Sequence, residues 1–129
     1  MPDAPKRLSE NAGFFPGRAP IDSYGAGGFR FAGMGHVGSI LLLPDGIRAW
    51  NVTSAWTLAD FEPVFAAKAQ IDFLLFGTGV AQIFPDRALI DAFADRGLGL
   101  EAMSTASAAR TYNVLLGEDR RVGAALIAV

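Results

Sequence analysis

The stretch Ile71-Asp72-Phe73-Leu74-Leu75-Phe76-Gly77-Thr78-Gly79 decides how the chain is read. Its nearly continuous apolar run, Ile71 to Phe76, marks a strand covered on both faces, and the two glycines end it in a turn. Toward the C-terminus the pattern becomes helical. Pro85 and Asp86 open a helix with Leu89, Ile90 and Phe93 on one stripe and Arg87 paired with Asp91 outside, and Gly97 closes it as a left-handed cap. Leu98 to Met103 is the next strand. Ser104 or Thr105 then caps a third helix to about Leu116, with Ala108, Tyr112 and Leu115 inward. Gly117 to Arg120 turns the chain into a last apolar strand, Val122 to Val129. The half from Ile71 onward therefore reads as a β-α-β-α-β unit. Its crossovers are expected to be right-handed, setting helices on the sheet faces in a three-layer α/β domain.

Toward the N-terminus, Asp60 is expected to cap a first helix to about Ala69, since Pro63 would break one begun at Thr57. Phe61, Val64 and Phe65 form its core stripe. Three short extended stretches come before it: Ile21 to Tyr24 leading to Phe29 to Phe31, then Ser39 to Leu43, then Ile47 to Trp50. Pro44-Asp45-Gly46 joins the last two as a tight hairpin. This hairpin or small antiparallel sheet has to lie on an edge of the main sheet or cover one face. Residues 1–20, rich in proline and polar punctuation, read as an extended arm pinned by Phe14 and Phe15, leaving 21–129 as the domain.

Composition narrows the function. At 129 residues, 51% hydrophobic and 19% charged, the chain has material for one core and is not disordered by composition. With no cysteine and a single histidine, His36, thiol chemistry and clustered His or Cys metal sites are excluded. A net charge of −2 offers no footprint for nucleic acid or an anionic membrane. No stretch of eighteen apolar residues and no signal-peptide pattern occurs, so no integral membrane segment and a cytoplasmic location are expected. The Asn51-Val52-Thr53 sequon is then read as chance.

Candidate chemistry follows from where open α/β sheets bind ligands, beyond the strand C-termini at which connections diverge. That rule brings Gly77, Thr78 and Gly79 beside Ser104 and Thr105, with the N-terminus of the third helix and Arg110 as anion-holding groups. The turn is no dinucleotide fingerprint, because its helix begins only at Pro85, and no lysine stands where a phosphate loop requires one. Glycines after a buried strand more often serve a tight turn. The run Ser23-Tyr24-Gly25-Ala26-Gly27-Gly28-Phe29 has no helix after it, so a bulge or sharp bend is expected rather than a phosphate cradle. His36, read in a loop between Gly35 and Val37, lacks an identifiable nucleophile or orienting partner. Ser39, Ser104 and Ser107 lack the Gly-x-Ser-x-Gly elbow, and Asp86, Asp91 and Asp95 fall on a solvated helix face. No catalytic residue, metal ligand or cofactor is assigned.

The segments Ser23-Tyr24-Gly25, Gly38-Ser39-Ile40-Leu41, Phe76-Gly77-Thr78-Gly79, Arg96 to Met103, Ala109 to Leu116 and Arg120 to Ile127 together resemble the Mth-type domain family. This family of unknown function includes the mitochondrial assembly factor three of NADH:ubiquinone oxidoreductase (complex I) and small bacterial proteins. The resemblance covers about Ile21 to the end and is most specific in the C-terminal half. It implies a three-layer α/β domain with a central mixed sheet and an additional β layer. Where many relatives carry Asp-Thr at the start of the third helix, this chain has Ser104-Thr105, which keeps a cap and loses a carboxylate.

By resemblance, the expectation is a non-catalytic accessory or assembly protein that binds protein partners, respiratory-complex subunits or assembly factors among them. The alternative is a binding protein or enzyme for a small anionic ligand at Gly77, Thr78, Gly79, Ser104, Thr105 and Arg110. A third reading is a homo-oligomer held by exposed Phe14, Phe15 or Trp56.

Overall fold

The computed structural model describes residues 6–53 and 55–129. Among the described residues ten strands are formed: β1 (Lys6–Arg7), β2 (Phe14–Pro16), β3 (Ser23–Gly25), β4 (Gly28–Phe31), β5 (Met34–Val37), β6 (Ser39–Leu43), β7 (Gly46–Trp50), β8 (Phe73–Gly77), β9 (Gly99–Met103) and β10 (Val122–Leu126). The α-helices are α1 (Glu62–Ala66), α2 (Arg87–Asp95) and α3 (Thr105–Gly117). Six strands make the central mixed sheet in the order β2-β7-β6-β10-β8-β9, and four make a second sheet, β1-β5-β4-β3.

The β-α-β-α-β half folds as its pattern predicts. β8 is parallel to both β10 and β9, so it is covered on both edges and both faces. From β8 the chain moves sideways to β9, and from β9 it returns past β8 to β10. The two crossovers run in opposite lateral directions, and α2 and α3 lie on opposite faces, as the right-handed rule for such connections requires. One face packs Leu41, Leu74 and Phe76 against Val64 of α1 and Leu89 and Phe93 of α2. The other packs Ile40, Leu75 and Ala124 against Ala108 and Tyr112 of α3 and against Phe29, Phe31 and Met34 of the small sheet. Burial raises the Tyr112 phenol to a pKa of about 12, because the interior disfavours the phenolate.

The N-terminal strands take both places open to them. The β6–β7 hairpin pairs antiparallel with β10 in the central sheet, with Pro44 and Asp45 as its turn (Leu43 opposite Gly46). A side chain at Gly46 would strike the Phe14 ring and the Phe15 carbonyl of β2, so only glycine lets that edge strand dock. β3, β4 and β5 cover a face instead, and the chain passes from one sheet to the other at Gly38, whose φ is +115°.

Several local expectations need correction. In the expected arm, Lys6–Arg7 pair into the small sheet and Phe14–Pro16 into the central one, and Leu8, in a 3-10 turn between them, is fully buried; residues 1–5 lie outside the described residues. The expected loop around His36 is β5, paired on both sides; its Met-Gly-His-Val sequence lacks strand propensity, and the neighbouring strands supply the stability. The sharp bend expected in the glycine-rich run is present, as a two-residue turn with Ala26 and Gly27 both at positive φ, and Ala32 and Gly33 repeat it before β5.

The first helical stretch begins at Thr57, not Asp60. The Asp60 carboxylate accepts the Thr57 N–H at 2.7 Å, and a 3-10 turn over Leu58–Phe61 leaves Pro63 harmless in the first turn of α1. In α2 the buried residues are Leu89, Ala92 and Phe93, while Ile90 is exposed. In α3 Ala109 takes the fully buried place expected of Leu115, which is half-buried.

Candidate functional site

The strand ends bring five of the six expected residues together and turn their polar atoms on one another. Thr105 is fully buried at the first position of α3. Its hydroxyl donates to the Ile127 carbonyl at 2.7 Å and accepts the Gly79 N–H at 3.0 Å, while its own N–H reaches the Gly79 carbonyl at 2.8 Å. Thr78, 4% exposed, accepts the Ile83 N–H at 2.9 Å on its hydroxyl. That hydroxyl lies 2.8 Å from the Ala81 carbonyl and 3.1 Å from that of Met103, both able to accept its proton. Ser104 caps α3 by accepting the Ser107 N–H at 3.2 Å.

Close approach explains Gly77. A Cβ there would lie 2.9 Å from the Thr105 Cα and 2.9 Å from the Leu126 side chain, so the strand end and α3 touch with no space for a side chain. Three donors an anion could use, from Gly79, Thr105 and Ser107, are bonded within the protein. Arg110 stays apart from this group. Five residues into the helix, it lies roughly 140° around the axis from Thr105, and it is exposed. In this geometry the crevice pins α3 and the C-terminal segment to β8.

His36 sits in β5 with Nε2 3.2 Å from the Ser39 carbonyl. A carbonyl only accepts, so Nε2 carries the proton, and burial lowers the pKa of the ring despite that hydrogen bond. Among the described residues no group of His, Asp and Glu is arranged to hold a metal ion.

The surface beside the crevice has the opposite character. Past Gly79 the chain exposes Val80 (87%), Ile83 (49%) and Phe84 (79%) before Asp86 caps α2 by accepting the Leu89 N–H at 3.0 Å. Phe84, Pro85 and Ile90 wall a cavity of about 340 Å³ whose floor includes Leu98, Leu100 and Ala102. This groove runs along β9, one of the two edge strands of the central sheet. Gly99 donates to Asp72 and Met103 accepts from Thr78, so the alternate residues Leu100 and Ala102 turn their backbone groups outward. The outward Ala102 carbonyl accepts the Gln82 side-chain amide at 2.8 Å.

Residues expected to form an apolar surface are packed instead. Phe15 stacks edge-on against Phe31 at 5.9 Å, Trp56 against Phe76 at 4.9 Å, and Arg48 lies over the Phe14 ring at 5.2 Å. The exposed loop was missed because Val80, Ile83 and Phe84 follow no period that tells outside from inside.

The model of the protein family of unknown function DUF498/DUF598 matches residues 21–127. An uncharacterised Rhodobacter capsulatus protein is 42% identical over 88% of this chain and 87% of its own length. The mouse NADH dehydrogenase [ubiquinone] 1 alpha subcomplex assembly factor 3 is 33% identical over 94% of this chain, which spans 66% of that protein. Among solved structures, an outer membrane protein from Bartonella henselae superposes with a TM-score of 0.86 at 47% identity, covering 89% of this chain and 98% of that one. A Mth938-like domain from Bordetella pertussis gives 0.70 at 28% identity, covering 84% and 85%. Among the described residues, no helix is long and apolar enough to cross a membrane.

Proposed function

The chain belongs to the DUF498/DUF598 family, and from that membership we propose that it is a non-catalytic assembly protein that acts by binding an extended segment of a partner protein along the free edge of β9. The observation that carries this reading is the exposure of Val80, Ile83 and Phe84 beside an edge strand whose outward backbone groups, at Leu100 and at Ala102 once the Gln82 amide gives way, suit an added strand. Large apolar side chains left in water next to an open sheet edge are a liability unless something covers them.

A partner suits this edge better than a second copy. Symmetric antiparallel pairing centred on β9 would set Glu101 against Glu101, and like charges directly opposite are destabilising. A basic residue in the partner strand would complement Glu101 instead.

The relatives named as NADH dehydrogenase assembly factors support that complex as the destination. Its subunits or other assembly factors are the proposed partners, met in the cytoplasm. The test is deletion of the gene followed by native-gel analysis of assembled NADH dehydrogenase and cell fractionation. Assembly is expected to fall on deletion and to recover with the wild-type gene, with the protein in the soluble fraction. Unchanged assembly on deletion removes the respiratory role, and recovery of the protein only with membranes removes the cytoplasmic location.

A further inference from the structure

The outer face of the four-stranded sheet carries a concave site of about 660 Å³, within the usual size range of small-molecule sites. The strand register explains how it arises. Arg7 of β1 stands beside Gly35 of β5, which stands beside Arg30 of β4, which stands beside Ser23 of β3. Laterally paired residues share a face, so two arginines flank a position with no side chain. The next row, Val37, Gly28 and Gly25, is nearly bare as well. A side chain at Gly28 would run into the His36 carbonyl oxygen, so this strip of floor cannot be filled by substitution.

The charge of the wall is one-sided. The whole chain has 13 acidic and 11 basic residues, yet among the described residues Arg7 and Arg30 line this basin with no Asp or Glu beside them in the lining. Among the described residues, neither arginine makes an ion pair; the three pairs present use Arg48, Arg87 and Arg121. Ser9 and Ser23 add hydroxyl groups to the lining, and the exposed side chain of Val37 adds carbon surface. Guanidinium groups present a planar fork of donors that matches a carboxylate or a phosphate.

We propose that this basin binds a small organic oxyanion, a phosphate monoester or a carboxylate, held between Arg7 and Arg30 with its carbon body against Val37 and the bare glycine floor. The site lies on a different sheet from the β9 edge and does not depend on the assembly reading.

Amide NMR titration of the full chain with phenyl phosphate, benzoate and benzyl alcohol tests it. Saturable shifts at Gly25, Gly28, Gly35 and His36 are expected from an anion and not from benzyl alcohol. Tighter binding of phenyl phosphate assigns the site to phosphate esters, and tighter binding of benzoate assigns it to carboxylates. Removing one charge-assisted clamp, by Arg7→Gln or Arg30→Gln, should weaken binding by roughly ten- to a hundredfold, whereas Arg110→Gln should leave it unchanged. In the unaltered protein, the dissociation constant should also rise with added salt. The proposal is overturned if neither anion gives saturable shifts, if benzyl alcohol binds as well, if binding is insensitive to salt, or if both arginine variants keep wild-type affinity.

Discussion

Thr78 and Phe84 are six positions apart, and the protein treats them in opposite ways. The threonine, polar and able to hold a ligand, is buried with its hydroxyl bonded to backbone; the phenylalanine, apolar and able to fill a core, is 79% exposed. A binding crevice at the switch point of an α/β sheet needs the reverse, with free polar groups and a dry wall. The contrast teaches that this sheet uses its polar strand ends for internal cohesion and leaves large apolar side chains in water beside its β9 edge.

The comparison breaks most readily at Thr105. Thr105→Val removes the hydroxyl shared by Gly79 and Ile127 in a fully buried place and leaves a donor and an acceptor unpaired. The expected loss is about 2 to 4 kcal/mol, read from the urea midpoint, with Thr105→Ser recovering most of it. A loss within experimental error would mean that water or a ligand reaches the crevice. Asp86→Ala, which removes the cap of α2 where the exposed loop meets the helix, should cost about 1 kcal/mol by the same measurement. Gln82→Ala frees the outward carbonyl of Ala102 at an exposed position, and about 0.5 kcal/mol is expected. Phe84→Glu should change stability by less than about 0.5 kcal/mol, because the side chain is largely in water already.

The smallest effect is one of pH. The folded state lowers the His36 pKa below 6.5, so the unfolded chain takes up the proton first. Stability should therefore decline as pH falls below about 6.5, down to the folded pKa, and His36→Gln should flatten that slope in urea titrations between neutral and mildly acid pH.

Local chemistry was legible wherever one residue type has one physical use. The Pro44-Asp45-Gly46 hairpin, the Asp86 cap and the positive φ of Gly97 (+68°) follow from turn and capping rules, and the buried run ending at Phe76 follows from its lack of alternation. What escaped depends on distant pairing. β5 is a strand because β4 and β1 flank it, and Leu8 is buried because β1 and β2 join different sheets. The meeting of Arg7 with Arg30 arises across Gly35 from a parallel pairing that no local pattern encodes. At the strand ends, topology brought the expected residues together, but whether their hydroxyls turn outward or inward is decided by Ile127, Met103 and Ala81, whose carbonyls the sequence could not place.

The most direct test of contact at the β9 edge is rescue of the deletion strain with Phe84→Glu, following assembled NADH dehydrogenase on native gels alongside the abundance and melting temperature of the variant. The account predicts a variant as abundant and as stable as wild type that fails to restore assembly, while Arg110→Ala restores it fully. Full restoration by Phe84→Glu would contradict it.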